Sequence, residues 1–279
     1  MISVLILTLN EEANLLSCLE AVSWSDDIVV FDSYSTDRTV EIARARGARV
    51  IQRKFDNERD HRAASLQIGF KYPWLYNPDA DELTPPALRD EMLQAVRDAA
   101  AQGADSPSAF RCRFKTMFLG RWIRFSSLYP TWVVRLFRPD KVRFERTINL
   151  RYVIDGPEGT LRQHFEHYTF NNGIHAWFEK HNRYALHEAR ESLQSLTAGG
   201  IPWRSFFSRH AADRRRALKE LSFRLPCRPL ARFFYMYVVK LGFLDGFAGF
   251  HYCVLLAVYE YMIVLNVLEL RRRQQGLKL

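Results

Sequence analysis

Asp79 and Asp81 stand one residue apart in the stretch YNPDADE, residues 76–82, directly after the apolar pair Trp74-Leu75. Carboxylates at the end of a buried strand are costly unless each finds a donor or a cation. Two chemistries fit the spacing. Asp81 can cap the helix that Pro85 and Pro86 introduce, or the pair can hold a divalent cation, whose hard charge prefers carboxylate and phosphate oxygens. Other residues that could take part are Thr8, Asn10 and Glu11 early in the chain, Asp32-Ser33, and the basic Arg59 and Arg62. His164 and His167, in RQHFEHYTF, could add a metal or phosphate contact or be plain hydrogen-bonded side chains. Trp122, Tyr129 and Trp132 could stack on a sugar ring or simply pack.

The elements that must position these residues follow from pattern. Over residues 1–102, β-branched runs alternate with amphipathic ones: SVLILTL then EEANLLSCLEAV, DIVVFD then DRTVEIARARG, ARVIQR then RDHRAASLQIGF, WLYNPD then PPALRDEMLQAVRDAAAQG. That alternation predicts an α/β fold with a parallel sheet covered by helices. Asn10, with Glu11 and Glu12 behind it, is expected to cap the first helix, and Ser35 or Thr36 the second. Ligands of such sheets bind beyond the carboxyl ends of the strands. Thr8-Leu9-Asn10, Asp32-Ser33 and Asp79-Ala80-Asp81 fall at three of those ends and predict one polar rim, with a carboxylate for a ribose or base and a pair for a metal. Neither GxGxxG nor GxxxxGK[ST] follows the first strand, so a diphosphate would need a metal and basic side chains for neutralisation.

From Ala109 to about Leu161 the chain turns extended, aromatic and basic, which predicts added strands, and after Gly173 it reads helical. An apolar stretch from Leu230 to Leu270 is interrupted by Lys240, Asp245 and Glu260. No uninterrupted run there reaches the ~20 residues of a spanning helix. Two readings stay open: buried core helices, or a monotopic contact in which Arg214, Arg215, Arg216, Arg271, Arg272 and Arg273 meet lipid phosphates.

The 279 residues have room for one large α/β domain, or for one domain plus a helical appendage. A net charge of +9 points to anionic partners. The basic residues are scattered among acids without an RNA- or DNA-binding module signature, which argues against nucleic acid. Cys18, Cys112, Cys227 and Cys253 lie far apart with no C-x-x-C spacing, as expected of reduced residues in a cytoplasmic protein without a zinc site. The opening ISVLILTLN lacks a basic n-region and is read as a strand, not a signal peptide.

VLILTLNEEANLLSCLEAV, DIVVFDSYSTDRTVEIARARGARV and WLYNPDADE together resemble the nucleotide-binding half of family 2 glycosyltransferases, which have the GT-A fold. FLGRWIRFSSLYPTWVVRLFRPDKVRFE, HYTFNNGIHAWFEKHNRYALHEA and GFLDGFAGF resemble the branch that includes lipopolysaccharide-core glucosyltransferases. The resemblance implies a GT-A catalytic domain over residues 1–172, with a nucleotide-sugar half to about 102 and an acceptor half from about 103. A C-terminal helical, membrane-associating region over 173–279 follows. It implies an inverting transfer from a UDP-sugar to a lipid-anchored glycan, with Mg²⁺ or Mn²⁺, on the cytoplasmic face of a bacterial inner membrane, by peripheral or monotopic attachment to its anionic surface. Thr8, Asn10 and Glu11 would line the uracil and ribose pocket, Asp32 would read the base, Arg62 would approach the diphosphate, and Asp79 and Ala80 would complete the nucleotide-sugar site. Asp81, with Asp79 and His167, would hold the metal, which resolves the two readings of the carboxylate pair. Tyr129, Trp132 and Arg135 are expected to meet the acceptor.

Two positions depart from the family. Where related sequences tend to read GRVHE after VRFE, this chain has Arg146, Thr147, Ile148, Asn149 and Leu150, and SSLYP stands where GGWYP is usual. The family's candidate base is therefore missing at Leu150. Glu145 is the nearest carboxylate that could take the acceptor's proton, followed by Asp155 and Glu158. Glu145 could equally be a salt-bridge partner of Arg143 or Arg146. A non-catalytic relative and a polyprenyl-linked oligosaccharide glycosyltransferase are the competing functions.

Overall fold

The computed structural model describes residues 1–103, 106–146, 150–197, 208, 214, 217 and 227–279; the side chains of residues 195–197 are not described. Asn149, and with it part of the departure noted above, lies outside the described residues, as do Arg215, Arg216 and most of the basic run around them. The chain divides into two compact units, one of residues 1–122 and 128–172, the other of 123–127 and 173–279.

The first unit is built on a mixed sheet. Strands β1 (Ser3–Thr8), β2 (Ile28–Asp32), β3 (Arg49–Gln52) and β4 (Leu75–Tyr76) alternate with α1 (Leu15–Ala21), α2 (Thr39–Ala45) and α3 (Glu58–Ser65). Then come β5 (Glu82–Leu83), the long α4 (Pro86–Gln102), β6 (Ala109–Phe118), β7 (Arg121–Trp122), β8 (Trp132–Phe137), the hairpin β9 (Val142–Glu145) and β10 (Arg151–Ile154), and β11 (Glu158–His167). The sheet order is β3-β2-β1-β4-β8-β6-β11-β5, with β7 on β6 and the β9-β10 hairpin apart. β1 to β4 run parallel, and β8 turns antiparallel against β4. β1 can read as an unbroken apolar run because both of its faces are covered. Val4 and Ile6 pack with Leu15, Cys18 and Met92, while Leu5 packs with Val29, Phe31 and Phe137.

The expected caps are not used. α1 begins at Leu15, and α2 begins after Arg38 with no side-chain cap. Asn10 instead takes a left-handed φ of 57°, which asparagine tolerates. Its amide N–H donates to Ser35 Oγ, and its Oδ1 accepts from the Thr36 N–H, both at 2.8 Å. It therefore ties the end of β1 to the loop after β2. α4 starts at Pro86 without a side-chain cap, so Asp81 is not its capping residue.

The second unit is helical: α5 (Gly173–Thr197), α6 (Arg228–Phe234), a π turn at Tyr235–Val239, a 3₁₀ turn at Gly242–Asp245, and α7 (Gly246–Gln274). Asp245 accepts the backbone N–H groups of Arg124, Phe125 and Ser126 and the Ser126 hydroxyl, at 2.6–3.0 Å. Gly242 permits that seat, since a Cβ there would come within 2.6 Å of the Met236 carbonyl. Of the charges that interrupt the apolar stretch, Lys240 and Asp245 precede α7 and only Glu260 lies within its apolar length. Glu260 pairs with Arg228 at 2.6 Å, both side chains nearly buried. Gly242–Gln274 is long and apolar enough to cross a membrane by length and composition, with Glu260 interrupting its apolar run as expected, and few of its residues are buried.

Candidate functional site

Parallel packing of β1, β2 and β4 brings their carboxyl ends side by side, with Asp79 bridging to Leu7. Asp32 is fully buried there and saturated: it accepts from Thr8 Oγ1 at 3.0 Å, from Gln52 Nε2 and the Ser35 N–H at 2.9 Å, and from the Ser35 hydroxyl. Burial pushes its pKa up, but the bonds from Ser35, Gln52 and Thr8 outweigh that and hold it below the ordinary value. Glu11 accepts from Asn14 Nδ2 at 2.8 Å. Its carboxyl is raised by burial and further by the charges of Asp81 and Asp79, so the β1 loop and the DADE turn share one electrostatic site.

The two aspartates have different partners. Asp79 lies between two guanidinium groups, Arg62 at 3.3 Å and Arg135. Burial would raise it, yet the Arg135 and Arg62 charges hold it well below the carboxylate range. Asp81 faces His167, with Oδ2 to Nε2 at 3.3 Å. The contact arises because β11 pairs with β5, placing His167 opposite Glu82, and the Tyr168 N–H donates to the Asp81 carbonyl. Burial lowers the His167 pKa, but the Asp81 hydrogen bond and the Asp81, Glu82 and Asp79 charges raise it overall.

Residues 3–169 match the family described as Glycosyl transferase family 2. The chain belongs to that family. Over 99% of its length it is 24% identical to an uncharacterized glycosyltransferase of Rickettsia typhi, covering 89% of that protein. It is also 27% identical to the lipopolysaccharide core biosynthesis glycosyltransferase LpsC of Rhizobium meliloti, over 70% of this chain and 72% of that one. Among solved structures, glucosyl-3-phosphoglycerate synthase of Mycobacterium tuberculosis with Mn²⁺, UDP-glucose and phosphoglyceric acid aligns at 24% identity and a TM-score of 0.34. That alignment covers 41% of this chain and 44% of that one. The mixed sheet flanked by helices is the GT-A architecture of family 2.

Several expected residues of the family 2 site are placed differently. Arg135 is not on an acceptor surface. It is buried, donates to both Asp79 and Glu82, and compensates two carboxylates at once. Glu82, quoted in the motif but given no role, is fully buried, and burial with the Asp79 charge pushes it up to about 7 despite Arg135. Arg62 donates to Asn77 and Tyr152 as well as Asp79, and Asn77 Nδ2 donates to the Leu5 carbonyl. Arg59, half exposed, pairs with its neighbour Asp60. Ala80 is buried in the DADE turn. Trp132 is 42% exposed, and Tyr129 lies edge-on to Trp122.

The three candidate bases have basic partners. Glu145 lies on the β9-β10 hairpin beside Arg143 at 3.6 Å and Arg151 at 4.0 Å, Asp155 faces Lys141, and Glu158 pairs with Arg111. For a divalent cation, Asp81 offers carboxylate oxygens, and His167 beside it could add a ring nitrogen on giving up its Nε2 contact to Asp81; the buried His167 Nδ1 has no hydrogen-bond partner. Each Asp79 oxygen accepts from one guanidinium, Arg62 at Oδ1 and Arg135 at Oδ2, so its charge is already compensated before any cation arrives. Among the described residues no three His, Cys, Asp or Glu side chains form a cation site by themselves.

Proposed function

We propose that this family 2 protein transfers a sugar, with inversion, from a UDP-sugar to a lipid-anchored glycan such as a lipopolysaccharide core. The observation that carries the proposal is the convergence of Thr8 to Glu11, Asp32, and Asp79 to Glu82 at one end of the parallel strands, with His167 brought in from β11. In this reading Thr8, Asn10 and Glu11 line the nucleoside pocket. Asp32, whose oxygens are taken up by Thr8, Ser35 and Gln52, holds the chain of that pocket in place. Arg62 and Arg135 hold Asp79 rigid, and the chain around Asp79 and Ala80 lines the ribose and diphosphate.

Mg²⁺ or Mn²⁺ would be held by Asp81 and His167 with the donor's diphosphate oxygens, and when bound would supply Lewis-acid charge to the leaving diphosphate. The protein's contribution is to hold Asp81 and His167 side by side at the end of β11.

The apolar α7, with Arg271, Arg272 and Arg273 at its end, is the element we assign to the cytoplasmic face of a bacterial inner membrane, seated peripherally or monotopically on anionic lipid. A non-catalytic relative is the second reading, favoured by the basic partners of Glu145, Asp155 and Glu158.

The test is calorimetric titration of UDP with and without Mn²⁺ or Mg²⁺, together with turnover of UDP-sugars. Tighter UDP binding with the cation, lost in Asp81→Ala, is expected. Unchanged binding and turnover in that variant would sink the metal assignment. UDP binding without turnover would favour the non-catalytic reading.

A further inference from the structure

Strand alternation sends Arg113, Lys115 and, through register with Arg113, His164 to one face of the sheet, opposite to the one that carries Phe114, Phe165 and His167. β8 pairs Trp132 with Arg113, and β7 pairs Trp122 with Met117, so both indoles border the same surface. The Arg113 guanidinium lies 5.1 Å from the Trp132 ring centre, and the Lys115 ammonium 4.8 Å from that of Trp122. His164 stacks near-parallel on Trp122, 15° between planes, and Tyr129 closes the edge.

Neither Arg113 nor Lys115 has a carboxylate partner among the described residues. Arg113 donates to the Arg162 carbonyl, and its buried Nε has no acceptor. Glu166 stands in register with Lys115, but its carboxylate accepts from the Tyr168 hydroxyl. Arg111 on the same strand face is already paired with Glu158. The surplus charge acts on its surroundings: burial first, then Lys115 and Arg113, outweigh the Glu166 charge and keep the His164 ring below its ordinary pKa. Two half-buried cations with no ion pair of their own, laid over the half-buried Trp122 and the exposed Trp132, are a costly arrangement that an anionic ligand with a flat face would complete.

We propose that Arg113, Lys115, Trp122, Trp132 and His164 form a subsite for an anionic sugar of the acceptor, a ring that stacks on indole and carries a carboxylate or phosphate for the two cations. The subsite rests on the glycosyl-transfer reading and narrows its acceptor. A neutral sugar would gain the stacking and leave Arg113 and Lys115 uncompensated, so the platform selects for charge as well as shape. It lies at the same strand end as the DADE turn, since Lys115 and Glu166 immediately precede Thr116 and His167.

The test is titration of the full chain with glucuronic acid, glucose 6-phosphate, glucose and inorganic phosphate, followed by saturation-transfer NMR, with UDP titrated in parallel. At least one anionic sugar should saturate at lower concentration than both glucose and phosphate, and the pair shows whether carboxylate or phosphate is preferred. The double variant R113Q/K115Q should weaken that binding about 10- to 100-fold, the scale of lost charge-assisted hydrogen bonds, and leave UDP binding intact. Trp132→Leu, at an exposed ring, should weaken it too and serves where the double variant fails to fold. Glucose binding as well as the anionic sugars, phosphate alone binding as tightly, or unchanged binding in the variants would each overturn the subsite. Loss of UDP binding in the wild-type protein would instead overturn glycosyl transfer and leave the subsite standing.

Discussion

Arg135 is the residue whose removal the structure makes most consequential. Its guanidinium is buried and donates to Asp79 and Glu82, and Glu82 is itself wholly out of solvent. Arg135→Met keeps much of the side-chain volume and deletes the shared cation, leaving Arg62 alone against two carboxylates. Removing one partner of a buried ion pair costs about 3–5 kcal/mol, because the other charge stays buried and unpaired. Against a total stability of about 5–15 kcal/mol, that loss is large. Urea unfolding followed by circular dichroism should show it as a lower midpoint. Asp79 keeps Arg62 while Glu82 is left without a cation, and Glu82→Gln removes that stranded carboxylate, so R135M/E82Q should lose less than the sum of the single variants, with a coupling of at least about 1 kcal/mol. A loss below about 1 kcal/mol in Arg135→Met, or strict additivity in the double variant, would refute the claim that Arg135 is the common counter-charge.

Glu145→Gln should leave turnover nearly unchanged, since its carboxylate is engaged with Arg143 and Arg151. A fall of about 10²–10⁴-fold with UDP affinity preserved would restore Glu145 as the general base. Asp32 is held below its ordinary pKa, so below that value the unfolded chain binds more protons than the folded one. Its stabilisation is present above about pH 3.8 and lost as pH falls through its depressed folded value, and Asp32→Asn should flatten that acid limb in thermal melts. High-salt or carbonate washes should release much of the protein from membranes containing anionic lipid; extraction by detergent alone would mean that the Gly242–Gln274 helix spans.

Much of the fold was legible because period and spacing carry it. The β-branched runs from SVLIL to WLY became β1 to β4, and the amphipathic runs between them became α1 to α4. The helix starts were misplaced because Asn10, Ser35 and Thr36 bond to one another across two loops, and no local pattern reveals a side chain whose partner lies some 25 residues away. In the C-terminal stretch, counting charges along the chain makes Glu260 an interruption, and the structure adds that Arg228, distant in sequence, pairs with it.

The carboxylate pair illustrates the same limit inside the site. Spacing alone treats Asp79 and Asp81 as equivalent, but in a D-x-D turn the two side chains diverge, and whatever packs against each face decides its chemistry. Here α3 and β8 bring Arg62 and Arg135 to Asp79, while β11 brings His167 to Asp81. The division cannot be read from the motif, since Arg135 lies 56 residues from Asp79. One signal was available. His164 and His167 are three apart in a strand, so they must face opposite ways, and only one of them can reach the aspartates. The β5-β11 pairing selects His167 and leaves His164 beside Lys115 and Trp122. The same alternation therefore separates the two chemistries of this strand end, a carboxylate-histidine pair suited to a cation on one face and an uncompensated basic, aromatic surface suited to an anion on the other.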